Sequence, residues 1–217
     1  MHIPDAFIPI PQGIIYWIIA LVFVVLALKW AKNEMNEEKL PLVAVLAAGI
    51  FALQSFNLPV SMGTSGHLVG GALAAIVLGS PFAAVFILTM VLIVQGVLFG
   101  DGGLTTMGAN IINMGVIGGF VGFYTFKGLM GMTKNMPIAG FAAAWLACLI
   151  PSLACAVEMF IAGTFPLREG LIAMGLYHAI IGVIEGIVTV AAIYLITTVR
   201  PDLVDTGVKS AKGAGTS

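Results

Sequence analysis

The feature that most limits what this chain can become is a succession of apolar runs almost free of charge, at 12–31, 41–56, 67–79, 82–99, 105–127, 137–162 and 171–199, each bounded by Pro, Gly or charged residues. Lipid offers no hydrogen bonds to a backbone, so only elements that satisfy their own polar groups cross it. A helix of about 20 apolar residues spans the roughly 30 Å hydrocarbon core. The composition agrees: 60% of residues are hydrophobic and 9% charged, against about 25% charged in soluble domains. The pattern predicts an all-α polytopic membrane protein with seven transmembrane helices. The run at 67–79 is the short one, reaching only about 20 Å as a helix, and charge placement decides how it is read.

Cytoplasmic loops carry the Lys/Arg excess. With seven spans and the N-terminus outside, Lys29, Lys32, Lys39, Lys127, Lys134, Arg200, Lys209 and Lys212 all fall on the cytoplasmic side, and only Arg168 is left outside. A re-entrant 67–79 segment would divide these charges almost evenly and erase the bias. The sequence therefore predicts an outer N-terminus and a cytoplasmic C-terminus. His2, the 57–66 loop leading to His67, and the loop carrying Asp101 then share the outer face.

Other features narrow the function. A net charge of −1 with no Lys/Arg cluster excludes nucleic acid as a partner. Met1 to Pro11 carries no Lys or Arg, so it lacks the charged start of a secretory signal and is expected in the mature protein. Cys148 and Cys155 lie seven apart on one apolar run and read as small buried side chains without a redox role. Small residues recur every four positions at Ala44, Ala48 and Ala52, at Gly71, Ala75 and Gly79, at Gly115 and Gly119, and at Gly182 and Gly186. Such stripes let helices approach closely in lipid, and one of them could dock a partner.

The first two residues, Met-His, carry the sharpest chemical signal. An N-terminal X-His unit offers a divalent metal the terminal amine, the His2 backbone nitrogen once its proton is displaced, and the imidazole Nδ1, closing fused five- and six-membered rings. Three nitrogens in one plane favour Ni²⁺ or Cu²⁺ over Mg²⁺, Ca²⁺ and tetrahedral Zn²⁺. His67, in "TSGHLVGG", is the natural fourth donor. Metal ligands are Met1, His2 and His67 in this reading, with no catalytic residue and no permanently bound cofactor. Ser65, Gln95, Asn110 and Asn113 are expected to orient the ligand loop. His178, Glu158 and Glu185 place ionisable groups inside apolar runs, where function is the default reading; the expectation is a structural pairing of Glu158 with His178.

The stretches "MHIPDAF", "TSGHLVGGALAAIVLGSP" and "GDGGLTTMGANIINMG" resemble the nickel and cobalt membrane substrate-binding proteins, the NikM/CbiM family, of energy-coupling-factor importers. The resemblance runs from Met1 through the seventh span. It implies an extra N-terminal helix ahead of a six-helix core, and as ligands the Met1 amine, the amide and imidazole of His2, and His67. "HIPD" looks more like the nickel branch, whereas cobalt members tend to read His-Ile-Met-Glu; position 6 is Ala where Gly is common. The implied partners are a transmembrane coupling protein, cytoplasmic ATPase subunits and a small accessory membrane subunit, all in the cell membrane. No GxxxxGK[ST] occurs, so ATP hydrolysis is expected of a partner. No HExxH occurs either, which argues against a metalloenzyme. The expected organisation is one transmembrane metal-binding domain over 1–200 and a disordered cytoplasmic tail over 201–217. The alternative is a self-sufficient secondary transporter or channel for divalent transition metals.

Overall fold

The prolines and caps of the sequence set the helix starts in the computed structural model, which describes residues 1–60 and 65–203. Helix α1, Ile10–Glu34, begins with Pro11 in its first turn, where a missing N–H costs nothing. It ends where Lys32 and Glu34 replace the apolar run. Helix α2 covers Leu40–Gln54. A two-residue hairpin pairs β1, Leu58–Pro59, with β2, Ser65–Gly66, in antiparallel register. Helix α3 covers only Gly71–Val77, and all seven residues are buried.

Helix α4 starts at Pro81, with the Ser80 hydroxyl accepting from Phe82 N, and runs to Val94. It continues as a π-helical turn over Gln95–Phe99. Helix α5 starts over Met107–Asn110, passes through a π-helical stretch at Ile111–Ile117 and continues over Gly118–Thr133. Helix α6, Met136–Ile161, is capped by the Asn135 side chain, and helix α7 spans Leu167–Val199. By length and composition five of these segments can cross a membrane: Ile10–Glu34, Pro81–Phe99, Met107–Thr133, Met136–Ile161 and Leu167–Val199.

The 67–79 segment departs from the uniform helix expected there. Residues 67–70 are non-helical, because Gly70 sits in the left-handed region at φ 77° and their backbone groups bond to side chains of other helices. At seven residues, α3 is about 10 Å long. The expected tail over 201–217 is described only at its start, where Pro201–Leu203 form a 3₁₀ turn; the rest lies outside the described residues.

Close helix approach explains most of the small-residue stripes. A Cβ on Gly71 would fall 2.9 Å from Met114 O, one on Gly119 2.5 Å from Ala84 Cβ, and one on Gly186 2.5 Å from Phe141 Cδ2. These glycines are packing positions inside the bundle. The Ala44–Ala48 stripe differs, since it lines an open apolar groove of about 460 Å³ between α2 and α4 with Leu40, Val43, Phe51 and Phe86. Helix α1 lies along α4 and α5 and buries only Gly13, Ala20, Ala27 and Ala31. One end of the bundle gathers the N-terminus, the Ser65–Gly66 strand, the 100–106 loop and the start of α7. Lys29, Lys32, Lys39, Lys127, Lys134 and Arg200 lie towards the opposite helix ends.

Candidate metal centre

The N-terminus is a buried plug. Met1, His2 and Ile3 are 1%, 8% and 1% exposed. Ile3 N donates to Asn110 Oδ1 at 2.8 Å. Ile3 O accepts from Thr106 Oγ1 at 2.5 Å, Asn110 Nδ2 at 3.2 Å and Gly103 N at 3.0 Å. Asp5 accepts from Thr105 N at 2.8 Å, Thr105 Oγ1 at 2.5 Å and Leu104 N at 3.2 Å. The chain turns just after Asp5 with Ala6 at φ 71°, a left-handed conformation that favours glycine.

The two candidate imidazoles meet. The rings of His2 and His67 stack with centroids 4.4 Å apart and planes 24° from parallel. The Met1 amine donates to Ser65 O, which brings the terminus against the strand that precedes His67. His67 Nδ1 lies 2.8 Å from Leu68 O. With Nδ1–H donating there, Nε2 is left as a lone-pair donor, the usual way a second interaction fixes a ligand's tautomer. That Nε2 is buried without a hydrogen-bond partner among the described residues. His2 Nδ1 is 3.0 Å from Asp101 Oδ1, although neither His2 ring nitrogen makes an aligned hydrogen bond among those residues.

Electrostatics favour uncharged nitrogen here. Burial lowers the Met1 amine from 8.0 to about 6, leaving it mostly neutral at pH 7. Burial also lowers the His2 imidazole, against the upward pull of Asp101, and the His2 contact lowers the Asp101 carboxyl. A cavity of about 170 Å³ adjoins Met1, His2, Asp101, Cys155, Met159 and Met174. No cluster of three or more His, Cys, Asp or Glu side chains with metal-holding geometry exists among the described residues. A site here depends on the terminal amine and a backbone nitrogen as much as on side chains.

The residues expected to support the ligand loop divide. Asn110 bonds both the N–H and the carbonyl of Ile3. Ser65 acts through its carbonyl. Gln95 lies beside the His2 ring, its carboxamide atoms without an aligned partner among the described residues. Asn113 instead donates to Glu158 Oε2 at 2.6 Å. The expected Glu158–His178 pairing does not form: Asn113 takes Glu158, while His178 Nδ1 lies 2.8 Å from Met174 O one turn away. Asp101, Asp5 and Thr106 also hold the N-terminal plug, and none of them stands out in the sequence as a single residue. The one signal for Asp101 and Thr106 is the polar loop "GDGGLTT" interrupting an apolar chain, and Asp5 lies in "MHIPDAF".

Residues 2–203 match the profile of the CbiM family, described as the cobalt uptake substrate-specific transmembrane region. The chain belongs to this family. It is 33% identical to the cobalt transport protein CbiM of Thermosipho melanesiensis, over 90% of this chain and 86% of that one. It is 32% identical to the fused nickel transport protein NikMN of Rhodobacter capsulatus, over 94% of this chain and 63% of that longer one. A crystal structure of a transition metal transporter superposes with a TM-score of 0.86 at 27% identity, covering 92% of this chain and 93% of that one. This CbiM-family chain is thus a substrate-specific membrane component of cobalt or nickel uptake, and its relatives are transport proteins rather than enzymes.

Proposed function

We propose that this chain is the substrate-capturing membrane subunit of an energy-coupling-factor importer, taking Ni²⁺ or Co²⁺ from the outer face through a planar nitrogen site. Four nitrogens supply the plane: the Met1 amine, the His2 amide and Nδ1, and His67 Nε2. The observation that carries this reading is the His2–His67 stack, which sets a Met-His terminus beside an imidazole whose Nε2 has no partner among the described residues. Because His2 Nδ1 faces Asp101, chelation exchanges that carboxylate for the metal. The metal also displaces the His2 amide proton, so binding releases protons and weakens in acid. Planar nitrogen ligation selects Ni²⁺ over hard or tetrahedral ions.

The orientation rests on charge. The six described cations named above lie towards the end away from the site, and Arg168 lies at the site end, so the site faces out. Seven spans follow if residues 67–77, four non-helical and seven helical, cross as a partly unwound segment, of the kind tolerated only where protein buries it. A single membrane domain over 1–200 and a cytoplasmic tail complete the arrangement. ATP hydrolysis belongs to cytoplasmic subunits, and the Ala44–Ala48 groove faces the transmembrane coupling protein.

The rival carrier reading needs ionisable groups free to line a route. Glu158 is held by Asn113 and Glu185 by two backbone amides, which opposes it. Reconstitution decides between them. Vesicles holding this chain alone should bind nickel without ATP-driven accumulation, and adding the coupling and ATPase subunits should start it. Equal uptake by the chain alone would establish the carrier.

A further inference from the structure

Helix α7 carries His178, Ile181 and Glu185 at helical spacing, and all three back the segment that presents His67. A Cβ on Gly66 would fall 2.6 Å from Ile181 Cδ1 and 3.5 Å from His178 Cε1. Glu185 Oε2 accepts from Val69 N at 2.9 Å, and Oε1 from Gly70 N at 2.8 Å. From the other side, Gln54 at the end of α2 donates from Nε2 to Val69 O at 2.7 Å. One turn earlier on α2, Ile50 fills the space beside Gly70, where a Cβ would meet Ile50 Cγ1 at 2.7 Å. Gln54 and Glu185 are both buried.

These contacts answer a physical demand. Residues 67–70 are non-helical yet enclosed by protein, so their backbone groups need partners that no regular element supplies. The partners come from two helices far apart in sequence, and they fix Val69, two residues from His67. Leu68 alone intervenes, and its carbonyl faces His67 Nδ1. The imidazole is therefore held through consecutive backbone anchors. A metal plane needs its donors placed within about 0.5 Å.

We infer that Glu185 and Gln54 are positioning residues for His67: they clamp Val69 and Gly70 from α7 and α2 and so set metal affinity without touching the metal. This rests on the reading of His67 as a ligand. Gln at position 185 has one carboxamide oxygen and sets its NH₂ against a backbone N–H, so it loses at least one anchor. Met at position 54 keeps the length and loses the donor.

The test measures Ni²⁺ affinity of the full chain in detergent for Gln54→Met and Glu185→Gln, each in the parent and in a His67→Ala background. Each substitution should weaken binding at least about tenfold in the parent, as expected of groups that orient a ligand. Neither should change the residual affinity of the His67→Ala protein, where nothing is left to position. Parent-like affinity, or an equal loss in both backgrounds, overturns the clamp. If Glu185→Gln fails to fold, Gln54→Met decides alone. A His67→Ala protein that binds nickel like the parent overturns the site itself. Weak binding by His67→Ala beside parent-like Gln54→Met overturns only the clamp.

Discussion

The imidazole of His2 lies on that of His67, 65 positions away, with ring centroids 4.4 Å apart. If the pair shares one metal, removing either ring leaves an incomplete plane. His67→Ala should lower nickel affinity by more than about 100-fold, beyond the 10–100-fold typical of groups that only orient a ligand. Its thermal midpoint should stay within a few degrees of the parent, because the helical core is untouched. Calorimetric titration beside a circular-dichroism melt checks both halves.

The acid response follows from the buried terminus. Burial lowers the amine from 8.0 to about 6, so the folded state disfavours its charged form. The unfolded chain binds more protons between those values, and stability from seating the terminus is full above pH 8 and declines as pH falls towards 6. Metal binding responds further. Above about pH 6 only the His2 amide proton must leave, giving a tenfold loss of affinity per pH unit; below it the amine proton must leave as well, and the slope steepens towards a hundredfold per unit. Nickel affinity measured from pH 5 to 8 should break near 6. A constant slope would mean the amine is not a ligand.

Asn110 bonds Ile3 on both its N–H and its carbonyl. Asn110→Ala leaves the buried Ile3 N–H without its partner, a cost of about 1–3 kcal/mol, while Ile3 O keeps Thr106 and Gly103. It should lower the thermal midpoint and weaken nickel binding about tenfold by loosening the plug. Amide exchange at Ile3 should quicken selectively, and an unchanged rate there would show that Thr106 and Gly103 hold the terminus without it.

Ala48 lines the groove between α2 and α4, whose lining includes none of Met1, His2 and His67. If the coupling protein seats there, Ala48→Leu should cut ATP-driven uptake severalfold and leave nickel binding at the parent value, because small residues at such contacts set how closely helices approach. Normal uptake would move the docking face elsewhere.

The helices were legible because lipid leaves few alternatives. The runs at 12–31 and 137–162 correspond to Ile10–Glu34 and Met136–Ile161, and the differences lie in terminal turns where capping decides. The helix near 67–79 covers Gly71–Val77, and its late start leaves no trace in hydropathy, which records burial and not hydrogen bonding; Glu185 and Gln54, which hold the preceding residues open, are remote in sequence. The π-helical stretches at Gln95–Phe99 and Ile111–Ile117 leave no mark on the hydropathy pattern. Asn110 and Asn113 looked equivalent on one helix face, yet they serve Ile3 and Glu158 respectively, because the intervening π-helical turn rotates one relative to the other. The contact of Asp101 with His2 joins two loops, and no local periodicity announces such a meeting.

Nickel held in a plane of four nitrogens from Met1, His2 and His67 has a distinct optical and magnetic signature. Titration of the full chain with Ni²⁺ at pH 7.5, followed by its visible spectrum and magnetic susceptibility, reads the coordination directly. One equivalent per chain should form a yellow, diamagnetic complex, lost in His67→Ala. A pale, paramagnetic octahedral complex, or a planar one that survives His67→Ala unchanged, would contradict it.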